Sequence, residues 1–159
     1  MQNLSVDLAR TTDLRLVRNL LNLYVYDMSQ WFKFDPDDEG FYNYEIPDFD
    51  APDHFVYIAN YADSPAGLAL LRKEQNQYDM KEFFVLRRYR GTSTASDFLE
   101  DLLKRHPGNW QVRVFADNKP AVPFWQKAIT NLTHDKFTKT NPEIEDKHWV
   151  HYHFSYPST

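Results

Sequence analysis

No cysteine occurs in the 159 residues, which excludes disulfides, thiolate metal sites and cysteine nucleophiles. Long hydrophobic runs are missing too. No apolar stretch approaches the roughly 18 residues of a membrane span, and the N-terminus has no signal-peptide core, so a cytoplasmic protein with no membrane partner is expected. There is no internal repeat, low-complexity tract or visible linker. The length then corresponds most simply to one domain, residues 1–159, able to bury about two-thirds of its chain surface. Positive charge is scarce: 18 basic residues stand against 23 acidic ones, a net charge of −5. That balance speaks against nucleic acid as a partner. Aromatic residues are what the chain has in quantity, at 16%, which suits large core side chains or a lined cleft.

The charge is unevenly spread. Residues 31–53 hold Asp35, Asp37, Asp38, Glu39, Glu45, Asp48, Asp50 and Asp53 against the single base Lys33. Such a segment either sets up a field attractive to a cationic ligand or is a solvated acidic loop. Pro36, Gly40, Pro47 and Pro52 break regular structure there, while interleaved Phe, Tyr and Trp imply a packed excursion rather than disorder.

Periodicity outlines the other elements. Residues 4–9 alternate as a short strand. Thr11 or Thr12 is placed to cap a helix starting near Asp13, with Leu14, Val17, Leu20, Leu21 and Tyr24 as its apolar stripe. Residues 54–60 and 67–72 read as a hairpin about the turn 62–65, and residues 79–87 as the next strand. A helix with Ala95, Phe98, Leu99, Leu102 and Leu103 on one face follows and stops at His106-Pro107-Gly108. Residues 110–115 form a strand. Asn118 is placed to cap a further helix, with Pro120 near its first position. Two closing strands fall around 136–139 and 148–155. Antiparallel strands followed by β-α-β alternation predict an α/β (α+β mixed) fold, a mixed sheet with helices on both faces.

The most informative stretch is Glu82-Phe-Phe-Val-Leu-Arg-Arg-Tyr-Arg-Gly-Thr-Ser-Thr-Ala95: a strand, a polar turn, then a helix. This order aims the orphan amides and dipole of a helix N-terminus at an anion in the turn. The alternative is a Ser/Thr-rich cap with no ligand, which leaves the arginine unexplained. Arg90-Gly-Thr-Ser-Thr-Ala95 resembles the phosphate motif Q/R-x-x-G-x-G/A of the GNAT superfamily of acetyl-CoA-dependent N-acetyltransferases, with Ser93 where the middle glycine is usual. Asn118-Lys-Pro-Ala-Val-Pro-Phe-Trp125 resembles that superfamily's N-x-x-A-x-x-F-Y motif. The whole length is similar to a bacterial branch in which the first helix ends Leu-Tyr-x-Tyr-Asp, here residues 23–27.

The resemblance implies a mostly antiparallel sheet of about seven strands, with a V-shaped split between the fourth and fifth, around Val85 and Val112. It implies acetyl-CoA as co-substrate and an amine acceptor, with no metal. The pantetheine arm would meet backbone near Phe84 and Val85. The pyrophosphate would take amides of Gly91, Thr92, Ser93, Thr94 and Ala95 with Arg90 nearby, and Asn118 and Trp125 would border the cofactor. Ser93 is harmless if its φ is ordinary; glycine is needed only for φ > 0 or a very close approach.

Direct transfer needs a neutral amine, and neutralising a lysine-like acceptor at pH 7 costs about 4.6 kcal/mol. The leaving thiol departs readily, so a base matters more than an acid. Glu82 is the candidate base, its pKa raised by burial among Phe83, Phe84 and Tyr78; the alternative is a carboxylate paired with Arg87 or Lys81. Asp79 is the second candidate. Trp125 replaces the usual general-acid tyrosine and has no useful proton to give. The oxyanion would be held by a backbone N–H near Val85. Tyr24, Tyr26 and Asp27, with the acidic segment, would shape the acceptor site. His151 and His153 share a strand face, but no third ligand follows at metal spacing. Two other readings stay open: a GNAT-fold acyl-CoA-binding protein with little turnover, and an acidic-aromatic domain engaging a basic protein. Homodimer formation is left open.

Overall fold

The computed structural model describes residues 3–158. The chain runs β1 (Leu4–Leu8), α1 (Leu14–Met28), β2 (His54–Tyr61), β3 (Ser64–Lys73), β4 (Tyr78–Val85), α2 (Thr94–Arg105), β5 (Gly108–Phe115), α3 (Ala121–Thr133), β6 (Phe137–Thr140), β7 (Glu143–Ile144) and β8 (Lys147–Tyr156). The sheet order is β1-β2-β3-β4-β5-β8-β6, with β7 paired to β8 off that path. Every pairing is antiparallel except β4 with β5. Eight strands replace the expected seven or so. The extra one is the two-residue β7, too short to show a period of two.

A core lies on each face of the sheet. On one side α1 sets Val17, Leu20 and Leu21 against Val56, Ile58, Leu68 and Leu70. On the other, Phe98, Leu99, Leu102 and Leu103 of α2 and Trp125, Ala128 and Ile129 of α3 cover Leu71, Val85, Val112 and Val114. The apolar stripes at i, i+3, i+4 and i+7 are what force each helix down on the sheet. Residues 31–53 form no strand or helix, yet Tyr44, Ile46 and Phe49 pack on the α1-side core.

Two local expectations change. Neither threonine caps α1: Thr11–Asp13 is a 3-10 turn, and the Asp13 carboxylate accepts the Arg10 N–H at 2.8 Å. Leu14 stands 38% exposed at the helix start, and Val25 is buried in the last turn. The turn between β2 and β3 is tighter than the expected 62–65, since β3 already begins at Ser64; Ala62 and Asp63 are both left-handed (φ 46° and 65°), matching the twist of a tight hairpin. Gly67 is required for packing: a Cβ there would sit 2.6 Å from the Phe84 carbonyl oxygen.

Candidate active site

The parallel pair β4–β5 holds only over Tyr78, Asp79 and Met80 against Trp110, Gln111 and Val112. Beyond Met80 and Val112 the two strands part, which is the V-shaped split. The Phe84 carbonyl points at β3, and Leu86 N–H donates to Ala66 O at 2.8 Å. Alternation therefore turns the Phe83 and Val85 peptide groups toward the split. The Val85 N–H is thus left facing the split, although its carbonyl already accepts from Arg90 Nε at 2.8 Å, while Phe84 offers no backbone: its peptide group is spent on β3.

A cavity of about 630 Å³ runs through the split from one face of the sheet to the other. Tyr24, Tyr44 and Glu82 line it on the α1 side; Asn118, Ala121 and Trp125 line it on the α3 side. Asn118 is held there by capping α3, its Oδ1 accepting the Ala121 N–H at 3.3 Å. Trp125 is 7% exposed and stands edge-on to Phe83, ring centroids 5.2 Å apart.

Glu82 reaches the cavity because of a bulge. The β3–β4 register passes from Leu70↔Glu82 to Leu71↔Met80, leaving Lys81 unpaired. One extra residue inverts the side-chain alternation downstream. Met80 and Phe83 therefore both face the α2/α3 core, and Glu82 emerges on the α1 face. There Tyr44 Oη donates to Glu82 Oε1 at 3.0 Å, and the Tyr24 phenol lines the same side of the cavity. Burial pushes the Glu82 carboxyl above its ordinary value, and the neighbouring Tyr24 and Tyr44 phenols only partly offset that. Burial, and then the Glu82 charge, in turn push both phenols upward. The partners are therefore Tyr24 and Tyr44 rather than Tyr78, which stacks on Trp110 near the closed end. Arg87 is not its partner either, being bound to Asp27.

Asp79, the second base candidate, is 2% exposed and already committed. Its Oδ2 accepts from Arg113 at 2.6 Å and its Oδ1 from Gln111 at 3.3 Å. It cross-links β4 to β5 where they still pair.

At the head of α2 the chain turns through Gly91, with φ +74°, into Ser93, which has the ordinary helical values φ −74°, ψ −8°. Among the described residues no acceptor takes the N–H groups of Gly91, Thr92 or Ser93, and the first helical amides are orphaned by geometry. These amides fit an anion. The threonine side chains are spent locally: Thr92 Oγ1 donates to Tyr89 O at 2.6 Å and accepts the Thr94 N–H at 3.3 Å, and Thr94 is buried. Thr94 is thereby withdrawn from any ligand, whereas Ala95 keeps its first-turn amide. Arg90 is also engaged, donating Nε to Val85 O at 2.8 Å and Nη2 to Asp27 Oδ2 at 3.0 Å.

That last bond revises the acceptor assignment. Asp27 holds Arg87 as well, at 2.6 Å. Burial raises its carboxyl, but the hydrogen bonds from the two guanidiniums outweigh it and hold the group below the usual carboxylate value. Asp27 therefore pins the end of α1 to the β4 exit instead of facing the cavity. Tyr26 is 62% exposed and points to solvent. Of the three expected acceptor residues, only Tyr24 lines the cavity.

Tyr44 is the residue that sequence reasoning missed. It lies in an irregular segment, where no periodicity marks which aromatic turns inward. The acidic residues of that segment stay largely out of the site, with Asp35 alone lining the cavity. Asp37 is folded into its own loop, accepting from Glu39 N, Phe41 N and Asn43 Nδ2. His151 lies opposite Arg113 in the β5–β8 register. Its buried Nε2 has no partner among the described residues, and burial, then the Arg113 charge, lowers its pKa. No group of three potential ligands is placed to hold a metal among the described residues.

No curated protein matches the chain. Solved structures share its architecture. Spermidine N-acetyltransferase from Vibrio cholerae, in complex with CoA and spermine, superposes with a TM-score of 0.67 at 12% identity, over 98% of this chain and 96% of that one. Arabidopsis thaliana Naa50, in complex with the bisubstrate analogue CoA-Ac-MVNAL, gives 0.62 at 18%, over 97% and 99%. A candidate streptothricin acetyltransferase of Bacillus anthracis, in complex with acetyl coenzyme A, gives 0.57 at 15%, over 72% and 70%. The family model for the acetyltransferase (GNAT) family matches residues 20–129, a span that holds the later part of α1, the split, the Arg90–Ala95 turn and Trp125. The chain belongs to the acetyltransferase (GNAT) family.

Proposed function

We propose that this chain, acting as one domain, transfers the acetyl group of acetyl-CoA to a primary amine of a small molecule or peptide, by direct attack within a ternary complex. The observation that carries the reading is the cavity in the split, bordered by Asn118, Ala121 and Trp125 on one side and by the buried carboxylate of Glu82 on the other. Solved relatives in the same fold hold CoA together with spermine, or a CoA-peptide bisubstrate analogue.

In this reading the amides of Gly91, Thr92, Ser93 and Ala95 hold pyrophosphate, and Asn118 and Trp125 flank the arm. Val85 N–H faces the split, where it supports the thioester oxygen as negative charge develops. Glu82 accepts a proton from the incoming ammonium; its raised pKa brings it nearer the operating pH, where a base is most effective. The amine nitrogen then bonds to the acyl carbon, the carbon–sulfur bond breaks, and the CoA thiolate leaves with the second amine proton. Tyr24 and Tyr44 aim the carboxylate.

A second reading, an acyl-CoA binder with little turnover, is favoured by one observation: Trp125 leaves no phenol where this family carries its acid. One experiment serves both. Acetyl-CoA at a hundred times Kd stabilises a binder by about 2.7 kcal/mol, seen as a rise in melting temperature. Thiol release with an amine panel then separates enzyme from binder. No thermal shift with acetyl-CoA overturns both.

A further inference from the structure

The acceptor half of the cavity is not built for a polycation. Of the eight acids in residues 31–53 only Asp35 borders it, while Lys33, Lys81 and Arg113 all do. Arg113 is committed to Asp79 at 2.6 Å. Lys33 and Lys81 make no ion pair among the described residues. A further cation stands at the same rim, with Lys147 Nζ 5.7 Å from the Phe32 ring centroid. Glu82, which accepts from Tyr44, offers its one negative charge to a single ammonium.

The wall between these charges is aromatic. Phe32 contacts Phe115 at 4.8 Å and Trp149 at 6.2 Å between centroids, and stacks on Phe34 at 5.6 Å. Phe34 remains 49% exposed, a flat apolar surface left wet at the mouth. The acetyl end of the donor must share the 630 Å³, which leaves room for a compact acceptor.

We propose that the acceptor is a primary amine borne on a flat apolar body that also carries an anionic group, an aromatic amino acid in type. The amine meets Glu82, the ring lies on the Phe32–Trp149 wall, and the carboxylate meets Lys33 and Lys81. The proposal rests on the transferase reading for the placement of the amine. A polyamine would bring surplus positive charge against the rim lysines and find only Asp35 in return.

Titration calorimetry on the protein saturated with CoA reads the preference without requiring turnover. The probes are L-phenylalanine, phenethylamine and spermidine. L-Phenylalanine is expected to bind about tenfold more tightly than phenethylamine, the effect of one charge-assisted hydrogen bond, with spermidine weakest. The Lys33→Gln/Lys81→Gln double variant is expected to erase that tenfold preference while keeping CoA affinity and melting temperature. Spermidine binding most tightly, phenethylamine equalling L-phenylalanine, or a preference surviving in the double variant overturns the proposal. Thiol release is assayed in parallel. Release with spermidine alone sinks this proposal and spares the transferase reading; the expected binding order with no release does the reverse.

Discussion

The Tyr44 hydroxyl donates to Glu82 Oε1 at 3.0 Å across 38 positions of sequence, joining an irregular loop to a bulged strand. A carboxylate that accepts from phenols is aimed without being neutralised by a cation. It stays both basic and available.

Glu82→Gln is therefore expected to lower amine-dependent thiol release by about 10²–10⁴, the usual contribution of a positioned base. The acetyl-CoA thermal shift should be unchanged. Release within threefold of the parent removes Glu82 from the chemistry. The linked stability effect has a definite sign. The folded pKa is raised, so stability from this group is present below the ordinary carboxylate pKa and lost as pH rises through the folded value. Thermal melts should show Glu82→Gln at least as stable as the parent at pH 8, with the difference shrinking toward pH 4.

The α2 turn predicts a contrast between two neighbours. Gly91 has φ +74° with open space around it, so Gly91→Ala pays only backbone strain, about 1–2 kcal/mol, and should weaken acetyl-CoA binding by displacing the amides. Ser93 already has φ −74°, so Ser93→Gly should change that affinity less than threefold. Isothermal titration with acetyl-CoA checks both; equal losses would mean that the amides are not the anion site.

Asp27 should matter to stability rather than to acceptor choice. Its folded pKa is lowered, so its contribution is present above the ordinary carboxylate pKa and lost as pH falls through the folded value. Asp27→Asn is expected to cost about 1 kcal/mol at pH 7, since Arg87 is largely exposed and screened. That corresponds to a melting temperature lower by about 2–4 °C, with the deficit shrinking as pH falls below the ordinary carboxylate range. A deficit independent of pH would contradict the ion-pair origin.

Trp125→Tyr restores a phenol at the expected acid position. The leaving thiol resembles cysteine, with pKa about 8.5, and departs with little help. Thiol release should change less than threefold, and a tenfold rise would show that protonation limits turnover. Trp125→Ala should instead destabilise by about 3–5 kcal/mol through the cavity left against Phe83, measured by urea unfolding.

Local features of the chain were legible because their causes are local. The strand–turn–helix from Glu82 to Ala95, the Asn118 cap and the closing strand around 148–155 depend on residues a few positions apart. So does the ordinary φ of Ser93, a residue entering a helix. The three helices and all strands but the two-residue β7 follow from their periods, and with them the layered sheet. The site was legible only in part. Tyr24 and Asn118 line the cavity as their motifs imply, but Tyr26 turns to solvent and Asp27 to Arg87 and Arg90. Which face Glu82 takes depends on the unpaired Lys81, a register decision made between β3 and β4 that no period within β4 records. Tyr44 and Lys33 arrive from an aperiodic segment whose path is set by packing on α1. Sequence alone determined the elements and the turn that leads into α2. Contacts made across the fold decided which charges meet, because one slipped residue in a strand exchanges its two faces.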